Sequence, residues 1–375
     1  MAHSYTPGLK VLHETKVIKE RRLPLKGNVL KKKDEAVLPD DIVATTDLPG
    51  NVQMVNVANL LNIDAADIAD VMKIEKNGSF NQGDLIAETP GLFGLFKSKV
   101  PAPVSGTLES FSEITGQVVL REAPIPVEMD AYISGKVKDT IPEEGVYIES
   151  DAAFIQGIFG IGGESRGDLK IITDSRKDEI TSDMLNSSLE GKVVVGGSHI
   201  SLAMYKKALS LKIAAIVVGG FHYSDLKPIL GYTLGVAITG SEDLVTSLIV
   251  TEGFGKINMG SRTFDLLKQH DDNFVSVNGA TQIRAGVIRP EIVIPLKSAE
   301  IIGKHKDIGS SMGITGGSLI RVIRAPYFGK IGTVKSLPNE LQKMESETMV
   351  RVAEVEIDGK ILVVPRANLE MVETD

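Results

Sequence analysis

From Tyr5 to about Ile155 the chain carries almost no helical periodicity. Its apolar runs are short and are broken every few residues by Gly, Pro or Asp. That punctuation produces many short strands joined by tight turns, so residues 1–155 are expected to form a β domain. One segment departs from the rule. Between Asn56 and Val71, the residues Val57, Leu60, Leu61, Ala65, Ile68 and Val71 fall near one face of a helix. Asn62 or Asp64 is placed to cap a break inside it.

The same region repeats itself. Val104-Ser-Gly-Thr-Leu with Gly116 matches Ile133-Ser-Gly-Lys-Val with Gly145, each second glycine ten residues after the first. A looser pair relates Lys33-Asp34 and Asp41-Ile-Val-Ala44 to Gly83-Asp-Leu-Ile-Ala87. Duplicated hairpins of a sandwich leave such pairs. Asn81-Gln-Gly-Asp-Leu-Ile-Ala-Glu-Thr89, followed by Val100-Pro-Ala-Pro-Val-Ser-Gly-Thr-Leu108, resembles the barrel-sandwich hybrid fold of biotinyl and lipoyl carriers. That fold also serves non-carrier roles in membrane-fusion adaptors, electron-transfer subunits and RNA polymerase inserts. In the carriers a modified Lys projects from a tight hairpin between the two strands. Here a longer segment, Pro90 to Lys99, takes its place, and Lys97 and Lys99 lack the Met-Lys-Met or Asp-Lys-Ala setting. Met72-Lys73-Ile74 falls on the wrong side of the Gly-Asp turn. No attached cofactor is expected. The apolar residues of that segment, Leu92, Phe93, Leu95 and Phe96, are expected to fold over an open end of the sandwich; the alternative is insertion into a partner.

Residues 156–298 read differently. Lys192 to Val195 is a buried strand, Ser198 or Ser201 caps a helix through Leu211, and Ile213 to Val218 is a second buried strand. Strand, helix and strand with continuous apolar runs make a βαβ unit with parallel strands. Leu234 to Thr239 reads as a third strand, and Asp243 to Thr251 as a further helix or strand. The expected α/β domain resembles the swivelling domains of phosphotransfer enzymes in architecture, which carries no function.

The catalytic motifs in this stretch fail on context. Gly163-Glu-Ser165-Arg-Gly167 matches a nucleophile elbow, but a strand follows where a helix is required, so a hinge or turn is expected. The Gly-rich run from Gly157 to Gly167 likewise opens no helix and lacks the phosphate-loop Lys. Six histidines are scattered without H-x-x-x-H spacing, and Cys is absent, so neither a metal site nor a thiol nucleophile is expected. The remaining polar, glycine-bearing stretches hold Thr251, Glu252, Asn278, Thr281, Gln282, Arg284, Arg289 and Glu291. Converging at the C-terminal ends of parallel strands, they would form a crevice for a small anion or a partner's carboxylate. The competing expectation is an interdomain seam in which Arg284 and Arg289 pair with carboxylates.

Residues 299–375 hold the most legible pattern. Leu319, Arg321 and Ile323 alternate with Ile320, Val322 and Arg324; Pro326, Phe328 and Gly329 make a turn; Gly332 lets the next strand bend sharply. Met349 to Ile357, Asp358-Gly359 and Lys360 to Val364 make a hairpin, and the segment from Val363 to Glu370 closes a barrel. Gly317 to Val334 resembles the KOW motif of a bacterial transcription elongation factor and of several ribosomal large-subunit proteins. The resemblance implies an SH3-like barrel that binds RNA or protein through its loops. Arg321, Arg324, Tyr327, Phe328 and Lys330 are its candidate surface.

Net charge is −8, which disfavours the whole chain as a non-specific nucleic-acid binder. A basic stretch near the start, Lys16, Lys19, Arg21, Arg22, Lys26 and Lys31 to Lys33, is expected to be a solvated arm. The N-terminus lacks an apolar leader and no run spans a bilayer, which points to the cytoplasm. The expectation is a β-rich α+β multidomain chain: a barrel-sandwich hybrid, an α/β domain and an SH3-like barrel. Its function is that of a non-catalytic adaptor with a protein partner, working through the KOW barrel within the transcription or translation machinery. The alternatives are direct RNA binding, or a ligand-binding protein or enzyme using the Thr251–Glu291 region.

Overall fold

The computed structural model describes residues 9–91, 97–232, 239–282, 288–297, 314–324, 326–344 and 349–371. The chain is β-rich, as its punctuated runs require, with several sheets and a half-barrel at the C-terminus. Among the described residues, no helix is long and apolar enough to cross a membrane. The apolar segment 92–96 and most of the strand expected from Leu234 to Thr239 lie outside the described residues.

Among the described residues, the largest sheet has 11 strands, and Gly145–Gln156 is its pivot. One edge of this strand pairs along its length with Val11–Arg22. The other pairs first with Gly135–Ile141 and then with Glu291–Pro295. The boundary expected at 155/156 therefore falls at the end of a strand that carries the sheet from the N-terminal region into the α/β region. A charge network reinforces the joint. The Arg21 guanidinium donates to Glu164 at 2.6 and 2.9 Å and to Asp130 at 2.8 Å, and Arg166 donates to Asp130 at 2.7 Å.

Four strands of this sheet run parallel: Glu164–Ile171, Val193–Val195, Ala215–Phe221 and Ser247–Phe254. Val193–Val195 and Ala215–Phe221 are buried at every position, because packed layers cover both faces. Helix Leu202–Ser210 makes the crossover between them, and Ser201 caps it by accepting the Met204 N–H at 3.3 Å. Its Tyr205 and Ala208 pack with Phe159, Ile216 and Phe221 on one face. Phe264 and Leu267 of helix Ser261–Gln269 pack with Val195, Val217 and Val275 on the other. Each buried Phe, Ile, Leu or Val among them contributes on the order of 1.5–3 kcal/mol.

Residues 51–122 form an insertion. The strand before it, Ile42–Leu48, pairs antiparallel with the strand after it, Ile125–Asp130, so the chain leaves and returns at one place. The insertion has its own four-stranded sheet and a core of Val57, Ile68, Phe80, Ile86, Leu108 and Leu120. Its helical segment is broken into Val57–Leu61, Ala65–Asp67 and Ile68–Val71. Asn62 ends the first piece in the left-handed conformation (φ 52°), and Asp64 caps the second by accepting the Ala66 N–H. Both repeated segments form hairpins: Gly106–Phe111 with Gln117–Glu122, and Gly135–Ile141 with Gly145–Gln156. In the looser pair, Asp34 and Gly83 both take positive φ and donate to Val137 O and Ala102 O at 2.8 and 2.9 Å.

In the C-terminal half-barrel, Leu319–Val322 pairs with Ile331–Ser336 and with Leu369–Met371, so the last strand closes on the first. Met349–Ile357 and Lys360–Pro365 form a hairpin whose turn, Asp358 (φ 52°) and Gly359 (φ 75°), has both residues left-handed. A Cβ at Gly332 would fall 2.6 Å from Glu356 O, so only glycine lets these strands approach.

Candidate functional site

The structure divides the candidate ligand residues into two groups. Asn278 pairs with Glu164, the first residue of a parallel strand, and so sits at the opposite end of the sheet from the strands' C-termini. It accepts the Ala280 N–H at 2.9 Å. Thr281 is buried, accepting the Gly160 N–H and donating its own N–H to Thr239 Oγ1, both at 2.9 Å. Gln282 N–H donates to Ile288 O. Asn278 and Thr281 thus fasten the backbone between them. Glu291 accepts from Tyr132 Oη at 3.3 Å and from Lys19, and Arg284 lies outside the described residues.

Thr251, Glu252 and Arg289 converge instead on the half-barrel. Thr251 and Glu252 lie near the end of Ser247–Phe254, and both are buried. Arg321 reaches across from the barrel, donating from Nη1 to Thr251 O at 3.0 Å and from Nη2 to Glu252 Oε2 at 3.1 Å. Glu252 Oε1 accepts the Gly260 N–H at 2.9 Å, at the start of helix Ser261–Gln269. Glu370, on the closing strand, stands 4.0 Å from Arg321 Nη1 and 3.9 Å from Arg289 Nη1. The guanidiniums of Arg321 and Arg289 thus face two carboxylates in a buried seam, where Arg321 stands although the sequence assigns it to the barrel surface.

Burial raises the Glu370 carboxyl above its ordinary range, with Arg321 and Arg289 pulling it back. A carboxyl whose folded pKa is raised contributes stability that is fully present below its unfolded pKa of about 4.3 and is lost as pH rises through the folded value. Glu370→Gln removes that titration. The variant is therefore expected to gain stability relative to the natural chain between pH 4.5 and pH 7.5 in urea unfolding. A stability difference that does not change with pH would exclude the raised pKa.

The candidate barrel surface is split in the same way. Arg321 is 3% exposed, and Phe328 packs on Phe254 with ring centroids 6.5 Å apart. Arg324, Tyr327 and Lys330 remain exposed, with Lys330 Nζ 2.8 Å from Asp358. The N-terminal basic stretch is not a solvated arm: Lys16, Lys19, Arg21 and Arg22 lie on the Val11–Arg22 strand. They pair there with Glu149, Glu291, Glu164 and Glu144, and beyond the strand Lys26 pairs with Glu143. Ser165 is inside Glu164–Ile171 rather than at a turn, and its Oγ is 3.0 Å from Ser247 Oγ. That strand position overturns both the elbow and the hinge.

Sequence reasoning missed what stands at the C-terminal ends of the parallel strands. Val193-Val-Val-Gly-Gly-Ser-His199 and Ile216-Val-Val-Gly-Gly-Phe-His222 are two copies of one pattern on adjacent strands. The repeat itself was the available signal; spacing rules for helices do not detect it. Gly220 N–H donates to Ser198 O at 2.7 Å, and the two imidazoles meet with centroids 4.8 Å apart. The glycines admit neighbouring backbone. A Cβ at Gly197 would lie 2.4 Å from Ser175 O, and one at Gly219 would lie 2.3 Å from Ile257 O. Loops after the outer strands, carrying Glu179 and Lys256, thereby close over His199. No protein-family model matches the chain, and a search of curated proteins returns no significant match.

Proposed function

We propose that the protein is a non-catalytic adaptor that engages a protein partner through the outward end of its C-terminal half-barrel. The observation that carries this reading is the seam. Arg321 and Phe328 fix the barrel on the α/β body and leave Arg324 and Tyr327 exposed on a held surface. The Gly317–Val334 resemblance to the KOW motif supports a binding role, and the transcription or translation machinery is the setting proposed for it. The barrel-sandwich-like repeats of the N-terminal region fit a scaffold without an attached group. Protein is favoured over RNA by charge. Single-stranded RNA requires several cations free to meet phosphates. Here Arg321 is buried against Glu252, Lys330 is engaged by Asp358, and Lys16, Lys19, Arg21, Arg22 and Lys26 are paired with glutamates, which leaves Lys32 and Lys33 as the exposed cations of that stretch outside these pairs.

The test compares the full chain with an Arg324→Glu/Tyr327→Ala double variant by affinity capture from native cytosol, with and without nuclease. A partner retained after nuclease and lost from the variant is the expected result. Capture abolished by nuclease, together with direct binding of single-stranded RNA that falls steeply with salt, would replace this reading by RNA binding.

A further inference from the structure

His199 is the least explained polar side chain of the α/β region. It is 2% exposed, and neither ring nitrogen has a hydrogen bond among the described residues. Buried imidazole nitrogens are rarely left this way without a reason. Nδ1 stands 3.7 Å from Glu179 Oε2, the side from which a carboxylate commonly orients a metal-binding histidine. His222 is exposed and meets His199 edge to face, with ring planes 65° apart. The pair sits where the parallel strands end, the edge at which open α/β sheets bind ligands.

The chemistry of the neighbours selects the class of ligand. An anion would need a cation to receive it, yet Lys256 is bound to Glu179 at 2.7 Å and Asp225 adds a further negative charge nearby. A cation suits two imidazoles backed by carboxylates. Two imidazoles bound at ~2.0–2.1 Å to one tetrahedral ion hold their ring centroids on the order of 5 Å apart. The observed separation of 4.8 Å lies near that value.

We propose that His199 and His222 form a two-imidazole site for a divalent transition ion of the zinc or nickel type, with the Glu179 carboxylate beside His199 Nδ1 adding negative charge. Imidazole suits these ions, whereas magnesium and calcium take oxygen ligands. Among the described residues, no group of three His, Asp or Glu side chains is arranged to hold a metal. The protein therefore supplies two ligands, and the remaining positions stay open to water or to a donor from a bound partner. Histidine spacing along one helix does not register this pair; adjacent parallel strands bring the two residues together instead.

The experiment uses the full chain, free of any tag and treated with chelator, in equilibrium dialysis against Ni²⁺ and Zn²⁺ with Mg²⁺ as control. Thermal unfolding is followed in parallel. One transition ion bound per chain, with a raised melting temperature and no response to Mg²⁺, is expected. His222→Ala changes an exposed side chain, so it should fold normally and lose the binding. Glu179→Gln should weaken affinity about 10-fold by removing the negative charge 3.7 Å from His199 Nδ1. Absence of uptake by the natural chain, or uptake undiminished in His222→Ala, overturns the proposal. A His13→Ala variant, altered outside the site, should bind as the natural chain does; loss there would also overturn it.

Discussion

Replacing Arg321 by Met is expected to destabilise the chain by about 3–5 kcal/mol, the usual consequence of removing one partner from a buried ion pair. Glu252 and Glu370 would be left with less compensation in a seam where their side chains are 9% and 1% exposed. The Thr251 carbonyl would lose its donor from the barrel as well. Urea unfolding followed by circular dichroism measures the loss. Hydrogen exchange should localise it, with protection falling in Leu319–Val322 and Leu369–Met371 and in the Ser247–Phe254 strand that they face. Arg321→Met combined with Glu252→Met should recover part of the loss, because the second change removes one of the stranded charges. A single variant within 1 kcal/mol of the natural chain would mean that the seam does not hold the barrel.

Local features of this fold were legible wherever one residue had to satisfy one backbone position. Asp358-Gly359, the Ser201 cap and the break at Asn62 and Asp64 follow from turn and cap chemistry, which acts within a few residues. The repeated Ser-Gly segments likewise announced two hairpins. Partners distant in sequence were not legible. Nothing in Ile42–Leu48 states that its neighbour is Ile125–Asp130, because alternation defines which side a residue faces and not what lies beside it. Arg321 illustrates the limit. Its place in an alternating strand is consistent with an outward cation, but that face of the barrel meets the α/β body, so the charge is buried. The histidine pair was hidden for a related reason. Its residues are separated in sequence by a strand and a crossover helix, and only the parallel register brings His199 beside Gly220 and so beside His222.

Replacing Phe254 by Ala is expected to cost about 3 kcal/mol, toward the lower end of the range for aromatic truncation because the side chain is only partly buried. Phe254 touches three rings: Phe159 in the sheet core at 5.1 Å, Tyr223 at 5.1 Å and Phe328 of the barrel at 6.5 Å between centroids. The barrel also lays backbone on it, since a Cβ at Gly329 would fall 2.6 Å from the Phe254 ring, and Gly329 takes φ 77°. Truncation therefore empties a position shared by the two bodies, and the strand and the turn cannot both collapse into it. A double-mutant cycle with Phe328→Ala separates the shared part, expected at about 0.5–1.5 kcal/mol from the aromatic contact. Strictly additive losses would show that Phe328 rests on the surface without holding the barrel. Coupling of the expected size, together with the Arg321 result, would make the seam a joint with one apolar and one ionic anchor. Both anchors must then be released before the exposed end of the barrel can change its orientation.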